Sequence, residues 1–224
     1  MSINSFQLWN RSFGWGVFTI ALLTFGLTVE PTASFWDAGE YIATAAKLQV
    51  GHPPGAPLFQ MMGAFFALFS TSPENIALMV NYMSVFSSAF SVLFLFWTLT
   101  LLMKKLPIFQ SLDYIYERLT FFGSAAVGAL AFCFSDSFWF NAVEAEVYAM
   151  ATFILSLLFW LGLRWEQDMY TPRGDRWLLL ISFVIGLSFG VHFMGLLTIP
   201  AIGMIYYFSN NPKGTVKSFL LANL

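Results

Sequence analysis

Residues 76 to 103 read IALMVNYMSVFSSAFSVLFLFWTLTLLM, an apolar run from Ile76 to Met103 without one charged side chain. A bilayer's hydrocarbon core is crossed by a helix of about 20 mostly apolar residues, and this run is longer than that. The rest of the chain has the same character. With 58% hydrophobic, 19% aromatic and only 10% charged residues over 224 positions, there is too little polar surface to coat a water-soluble globule. The sequence predicts an all-α integral membrane protein.

Outward from this run lie Phe13–Val29, Pro57–Phe69, Leu119–Phe134, Val147–Leu163 and Trp177–Phe208. Phe13–Val29 reads as an uncleaved helix, longer than a signal-peptide core and followed by no small-residue cleavage site. Lysine and arginine set the topology. If the short Pro57–Phe69 run is interfacial or re-entrant, Arg11, Lys104, Lys105, Arg118, Arg164, Arg173, Arg176, Lys213 and Lys217 share the cytoplasmic side, and Lys47 alone lies outside. The last run is too long for one helix and is interrupted by FGVHFMG (Phe189–Gly195), which predicts two spans with an outer turn near His192. The expectation is about six transmembrane helices plus short interfacial jacket helices in the first outer loop, an N-terminus in the cytoplasm, and one transmembrane domain over residues 1–224.

Several function classes fall away. A net charge of −2 supplies no basic stripe for nucleic acid. The lone Cys133 builds neither a disulfide framework nor a cysteine metal site. No H-x-x-x-H motif or Gly-rich phosphate loop occurs. What stands out is the outer face, where Glu30, Asp37, Glu40, Glu74, Asp136, Glu144 and Glu146 collect beside a single lysine. Ionisable groups at a membrane boundary are costly unless paired or facing a wet cavity.

The stretch SFWDAGEYIATAAKLQVGHPPGAP (34–57) concentrates Asp37, Glu40, Lys47 and His52. Asp37 and Glu40 are three residues apart, so an interfacial helix would show both carboxylates on one face. GHPPG then forms a rigid corner holding His52, as a donor contact or as a brace. In SDSFWFNAVEAEVYAM (135–150), Glu144 and Glu146 are two apart, and a helix would point them to different faces. His192, in an apolar turn, reads either as a packed histidine or as part of the outer site. The rival class is an ion-coupled transporter or channel, which places such groups near the midplane and is often built from an inverted repeat; no repeat is found here. A non-catalytic subunit of a membrane assembly is the third reading.

WDAGEYIATA, GHPPGAPLF, FWFNAVEAEVYAM and GLSFGVHFMGLL together resemble the N-terminal part of a multi-span family common in Bacteroidetes. That family is related to eukaryotic protein O-mannosyltransferase, within the C-type glycosyltransferase (GT-C) superfamily. The resemblance implies a glycosyltransferase moving a sugar such as mannose from a polyprenyl-phosphate donor to a hydroxyl of a protein or glycan acceptor. It implies a bacterial inner membrane, with the site on the periplasmic side. It also implies Asp37 as the first-loop catalytic acid, Glu40 as its neighbour, Glu146 as the second-loop acid and, less securely matched, Glu144. Lys47 and His52 are then the cations available for the donor phosphate, with His192 at the margin. An inverting single displacement without an obligatory cofactor is expected, and the clustered acids leave a divalent ion open. Relatives of this kind carry more spans, so the chain reads as the N-terminal part of a larger module, either a fragment or one half of a split protein.

Overall fold

A computed structural model describes residues 3–109 and 111–222, which are helical with no strand among them. The long helices are α1 (Ile3–Leu27), α4 (Ile76–Met103), α5 (Ile115–Cys133), α7 (Val147–Asp168), α8 (Gly174–Ser188) and α9 (Thr198–Asn210). Between them lie the short helices α2 (Ala38–Ala46), α3 (Pro57–Ala67) and α6 (Asp136–Ala142), and α10 (Val216–Ala222) follows α9.

α4 is the hub, packed against α1, α3, α5 and α7. Being apolar all round, it suits a helix enclosed on several sides. Its small residues Ser84, Ser88 and Ala89 are buried and let neighbours come close. The Ser87 and Ser91 hydroxyls donate to carbonyls one turn back, at Met83 and Ser87, so these buried polar groups are satisfied locally. One core cluster joins α1, α4 and α5 around Phe25, Val85, Phe96 and Phe121, and a second joins α3, α4, α7 and α8 around Phe59, Met83, Leu158 and Val184.

Six spans are expected from the sequence, and the helices for all six are present, but fewer are long and apolar enough to cross a bilayer. Pro73–Met103, Val147–Asp168 and Phe193–Asn210 qualify, making 3, or 4 if Ile115–Cys133 and Asp136–Ala142, bent by 70°, are one broken span. α1 is long enough, but every 18-residue window within it includes Asn10, Arg11 and Ser12, which dilute its apolarity. α8 has 15 residues, which at about 1.5 Å each fall short of a core roughly 30 Å thick.

The two ends of the bundle are chemically distinct. At one end the Lys104 ammonium sits 4.8 Å over the Phe6 ring, Lys105 pairs with Glu166, and the Tyr170 hydroxyl lies 3.1 Å from Asn210 Oδ1. Lys47 lies at the opposite end with the loops that carry the acids. There the Glu30 amide donates to Val143 O at 3.0 Å, and the Asn81 carboxamide donates to the carbonyls of Glu30 and Thr32.

α2 and α3 form a jacket over this second end. α3, with 11 residues, is the short apolar element expected from Pro57–Phe69. Its N-terminal amides would be orphans, and Leu58 and Phe59 both donate to the Gly190 carbonyl, at 2.8 and 3.2 Å. Gly190 belongs to the break in the last apolar run, where α8 ends and a 3-10 turn at Phe193–Leu197 leads into α9. A Cβ on Gly190 would lie 2.8 Å from the Leu58 Cβ, and one on Gly63 would lie 2.8 Å from the Ala45 Cβ. Neither neighbour can rotate away, so the jacket requires glycine at both places. Gly190→Ala should therefore lift the start of α3 and destabilise the protein by about 1–3 kcal/mol, the usual cost of overpacking. Thermal unfolding in detergent reads this, and an unchanged midpoint would show that α3 is not held at Gly190.

Candidate functional site

The loop entering α2 carries Trp36 at φ 58°, a left-handed conformation uncommon for a bulky residue. This turn exposes the Trp36 ring and makes Asp37 the residue that caps α2 rather than a member of it. The interfacial helix expected to carry both Asp37 and Glu40 thus starts one residue after Asp37. The proximity of Asp37 and Glu40 survives, because one carboxylate precedes the first turn and the other lies in it. α2 leaves through Leu48, also left-handed at φ 50°. Such outliers persist where surrounding structure holds them, and they cluster at functional sites.

His52 links the two acids. Its backbone amide donates to Glu40 Oε1 at 2.6 Å, and its ring Nδ1 is 3.1 Å from Glu40 Oε2. Its Nε2 lies 3.9 Å from Asp37 Oδ2, beyond hydrogen-bonding distance. The bonds from His52 hold the Glu40 carboxyl below its ordinary range. Ligand atoms of Asp37, Glu40 and His52 all lie within 4.8 Å of one another, and all three residues are exposed. A divalent cation takes oxygen and imidazole donors at such spacings, so these are the described residues that would hold one.

The second outer loop supplies two buried acids that behave differently. Glu146, 6% exposed, accepts the Asp37 amide on Oε1 at 3.2 Å and precedes the first residue of α7. Burial first, and then the nearby charges of Asp37 and Glu144, push its carboxyl up to about 7. Glu144, 2% exposed, accepts a short hydrogen bond from the Ser34 hydroxyl on Oε2, while its Oε1 is buried without a partner. Burial raises its carboxyl too, against the lowering effect of Ser34.

The structure thus brings Asp37, Glu40, His52 and Glu146 together, with Glu144 attached through Ser34. Lys47 is exposed at the end of α2 and makes no ion pair among the described residues. His192 stands outside the cluster as a packed residue. Its Nδ1 accepts from the Met194 amide at 3.2 Å, and its ring lies 5.6 Å from that of Tyr148, tilted by 52°.

Three contributors were missed by sequence reasoning. Ser34 gives no spacing signal, because its partner lies in another loop. Tyr41, which no motif singles out, is 9% exposed with its ring 5.8 Å from His52. Burial and the surrounding carboxylates push its phenol up to about 12, so it stays neutral. Gln60, buried in α3, was detectable as the one polar side chain within PLFQMMGAFFA.

The profile of the family described as protein O-mannosyl-transferase TMEM260 N-terminal domain matches residues 37–215. Protein O-mannosyl-transferase tmem260 of Dictyostelium discoideum is 24% identical over 209 residues, covering 88% of this chain and 23% of the relative. Protein O-mannosyl-transferase TMEM260 of Mus musculus is 30% identical over 176 residues, covering 77% of this chain and 22% of the relative. The chain therefore spans less than a quarter of the length of these relatives. No solved structure matches it. Because the family profile begins at Asp37 and runs through both acid-bearing loops to the end of the last long helix, the chain belongs to the protein O-mannosyl-transferase TMEM260 N-terminal domain family.

Proposed function

We propose that this segment is the catalytic entry of a GT-C-type membrane glycosyltransferase, which moves a sugar from a polyprenyl-phosphate donor to a hydroxyl of a protein or glycan acceptor. The observation that carries this reading is the convergence of exposed Asp37 and Glu40 on His52, backed by the buried Glu146 at the Asp37 amide. Family membership supports the sugar-transfer class. In this reading the site faces the periplasm of a bacterial inner membrane, with the N-terminus in the cytoplasm.

The acceptor oxygen attacks the anomeric carbon, the bond from that carbon to the phosphate oxygen breaks, and its electron pair leaves with the phosphate. The acceptor's proton goes to Asp37, an exposed carboxylate at the bundle end. Glu146 helps by being reluctant to ionise. Burial and the neighbouring charge of Asp37 push the Glu146 carboxyl up to about 7, so Glu146 is suited to hold a proton while Asp37, open to water, is placed to act as the base. Glu40 is fixed by His52 and lines the acceptor side, His52 faces the donor phosphate, and Lys47, Glu144 and His192 form the margin. An apolar crevice of about 460 Å³ between α3, α4, α7 and α8 suits the donor's isoprenoid tail, running from Leu58 and Met150 down to Phe90 and Leu157.

In the full-length protein, Asp37→Asn should preserve expression and donor binding while lowering turnover by roughly 10²- to 10⁴-fold, the usual contribution of a general base. Glu40→Gln should cost less, and His52→Ala should chiefly weaken donor binding. Turnover should survive EDTA, as expected for a displacement without an obligatory metal. Transfer of labelled sugar from lipid donor to acceptor is the assay. Near-normal turnover by folded Asp37→Asn would remove the assignment and favour a transporter, and loss in EDTA would reassign Asp37, Glu40 and His52 to a cation.

Glu146 also fixes a pH dependence. Its folded carboxyl binds a proton more tightly than the unfolded one, so its contribution to stability is complete below about 4.5 and is lost as pH rises through about 7. The wild-type melting temperature should fall from this source between those values, and Glu146→Gln should flatten that slope. Equal slopes in the two proteins would place the Glu146 carboxyl in its ordinary range.

A further inference from the structure

Glu144 and Glu146 are two residues apart in the second outer loop, and the groups they bind, the Ser34 hydroxyl and the Asp37 amide, are three residues apart in the first. Glu144 is 2% exposed, with Oε2 taken by Ser34 and Oε1 closed off inside the protein. Almost nothing of this side chain is left for a donor or an acceptor to touch. The two acids also stand on a fixed base. Ala145 between them is fully buried in one cluster with Ile42 and Ala45 of α2 and Val80 of α4, and the Glu146 amide donates to the Glu144 carbonyl at 2.9 Å. The grip on the first loop is therefore tied to the same helix that Asp37 caps.

Between the gripped points lie Phe35 and Trp36, 80% and 85% exposed, with Trp36 in its left-handed turn. Side chains this open do not hold the turn by packing, and an uncommon backbone conformation persists only where its surroundings impose it. The nearest tether upstream, the Asn81 carboxamide on the Thr32 carbonyl at 2.9 Å, lies two residues before Ser34 and leaves the turn itself unheld. A single hydrogen bond at the Asp37 amide would let the segment pivot. A second one at Ser34, on the other side of the turn, fixes its direction.

We propose that Glu144 is a positioning residue: with Glu146 it grips the first outer loop at two points, and so aims the Asp37 carboxylate without touching donor or acceptor. What Asp37 then does rests on the sugar-transfer reading, but the grip is measurable without transfer. Amide hydrogen exchange, resolved to single residues by fragmentation mass spectrometry, reads it on the full-length protein in lipid nanodiscs. Ser34→Ala should speed exchange of the Asp37 amide by about tenfold, as expected when one hydrogen bond to a carboxyl stops ordering the turn. The Glu30 amide, bonded to Val143 outside the grip, should not change. Glu144→Ala should match Ser34→Ala, the two together should do no more than either alone, and Glu144→Gln, which keeps an acceptor for Ser34, should recover most of the protection. Ser34→Ala, at a partly buried hydroxyl, carries the test by itself where Glu144→Ala does not fold. In sugar transfer Ser34→Ala should lower kcat by up to about a hundredfold, the cost of a misaimed group, with KM for donor and acceptor unmoved. In an Asp37→Asn background it should cost nothing further. Exchange at Asp37 that Ser34→Ala leaves alone overturns the proposal. So does a raised KM with kcat kept, or a loss of turnover in Glu144→Gln as deep as in Glu144→Ala, either of which would make Glu144 a substrate contact. Faster exchange at Asp37 in a protein whose wild type transfers no sugar would leave the grip standing and count against the catalytic reading alone.

Discussion

Glu146 is a carboxylate with almost no water around it, and it is held beside another carboxylate. Its Oε1 accepts the amide of Asp37, a residue more than a hundred positions earlier, and so joins the two outer loops at the point where both carry acids. Burial is the reason the pair is chemically unequal. Burial pushes the Glu146 carboxyl up while Asp37 stays open to water, and a base with an acid held in reserve follows from that difference in exposure. Moving Glu146 into solvent would turn the pair into two equivalent surface carboxylates.

The helical frame makes that burial possible. Glu146 precedes α7, α7 packs along α4, and α4 also carries the first core cluster that positions α1 and therefore the start of the Asp37 loop. The jacket closes from the other direction, since α3 is tethered to Gly190 at the end of α8 and packs through Gly63 onto Ala45 of α2. Parts of the chain that are remote in sequence, the GHPPG corner and the FGVHFMG break, are thus two sides of one contact. His192 has its place in this support, capping a turn next to the Gly190 carbonyl.

Composition and charge made the gross plan legible. The uncharged Ile76–Met103 run became the hub helix, the basic residues other than Lys47 gathered at one bundle end, and the last apolar run broke where glycines and His192 predicted. Span number was less legible, because hydropathy summed over a long run does not show that Asn10, Arg11 and Ser12 fall inside α1, or that α8 stops after 15 residues. Within the site, the three-residue spacing of Asp37 and Glu40 foretold their proximity, although Trp36 turns the chain so that Asp37 caps the helix from outside it. Contacts between loops left no local pattern. Nothing in the spacing of Ser34, Glu144, Asp37 and Glu146 announces which carboxylate meets which partner, because tertiary packing decides it. Gln60 lay between these cases, visible as a polar residue in an apolar helix but silent about its burial.

The most direct test of a single site built from two loops is a double-mutant cycle on Asp37→Asn and Glu146→Gln, with sugar transfer by the full-length protein as the readout. Residues that act as one unit lose their effects non-additively. If Glu146 works only through Asp37, then once Asp37 is asparagine the further change at Glu146 should cost little, and the double variant should resemble Asp37→Asn alone. Losses that multiply would contradict the account, showing that the two acids act independently and that their contact across the loops has no part in the chemistry.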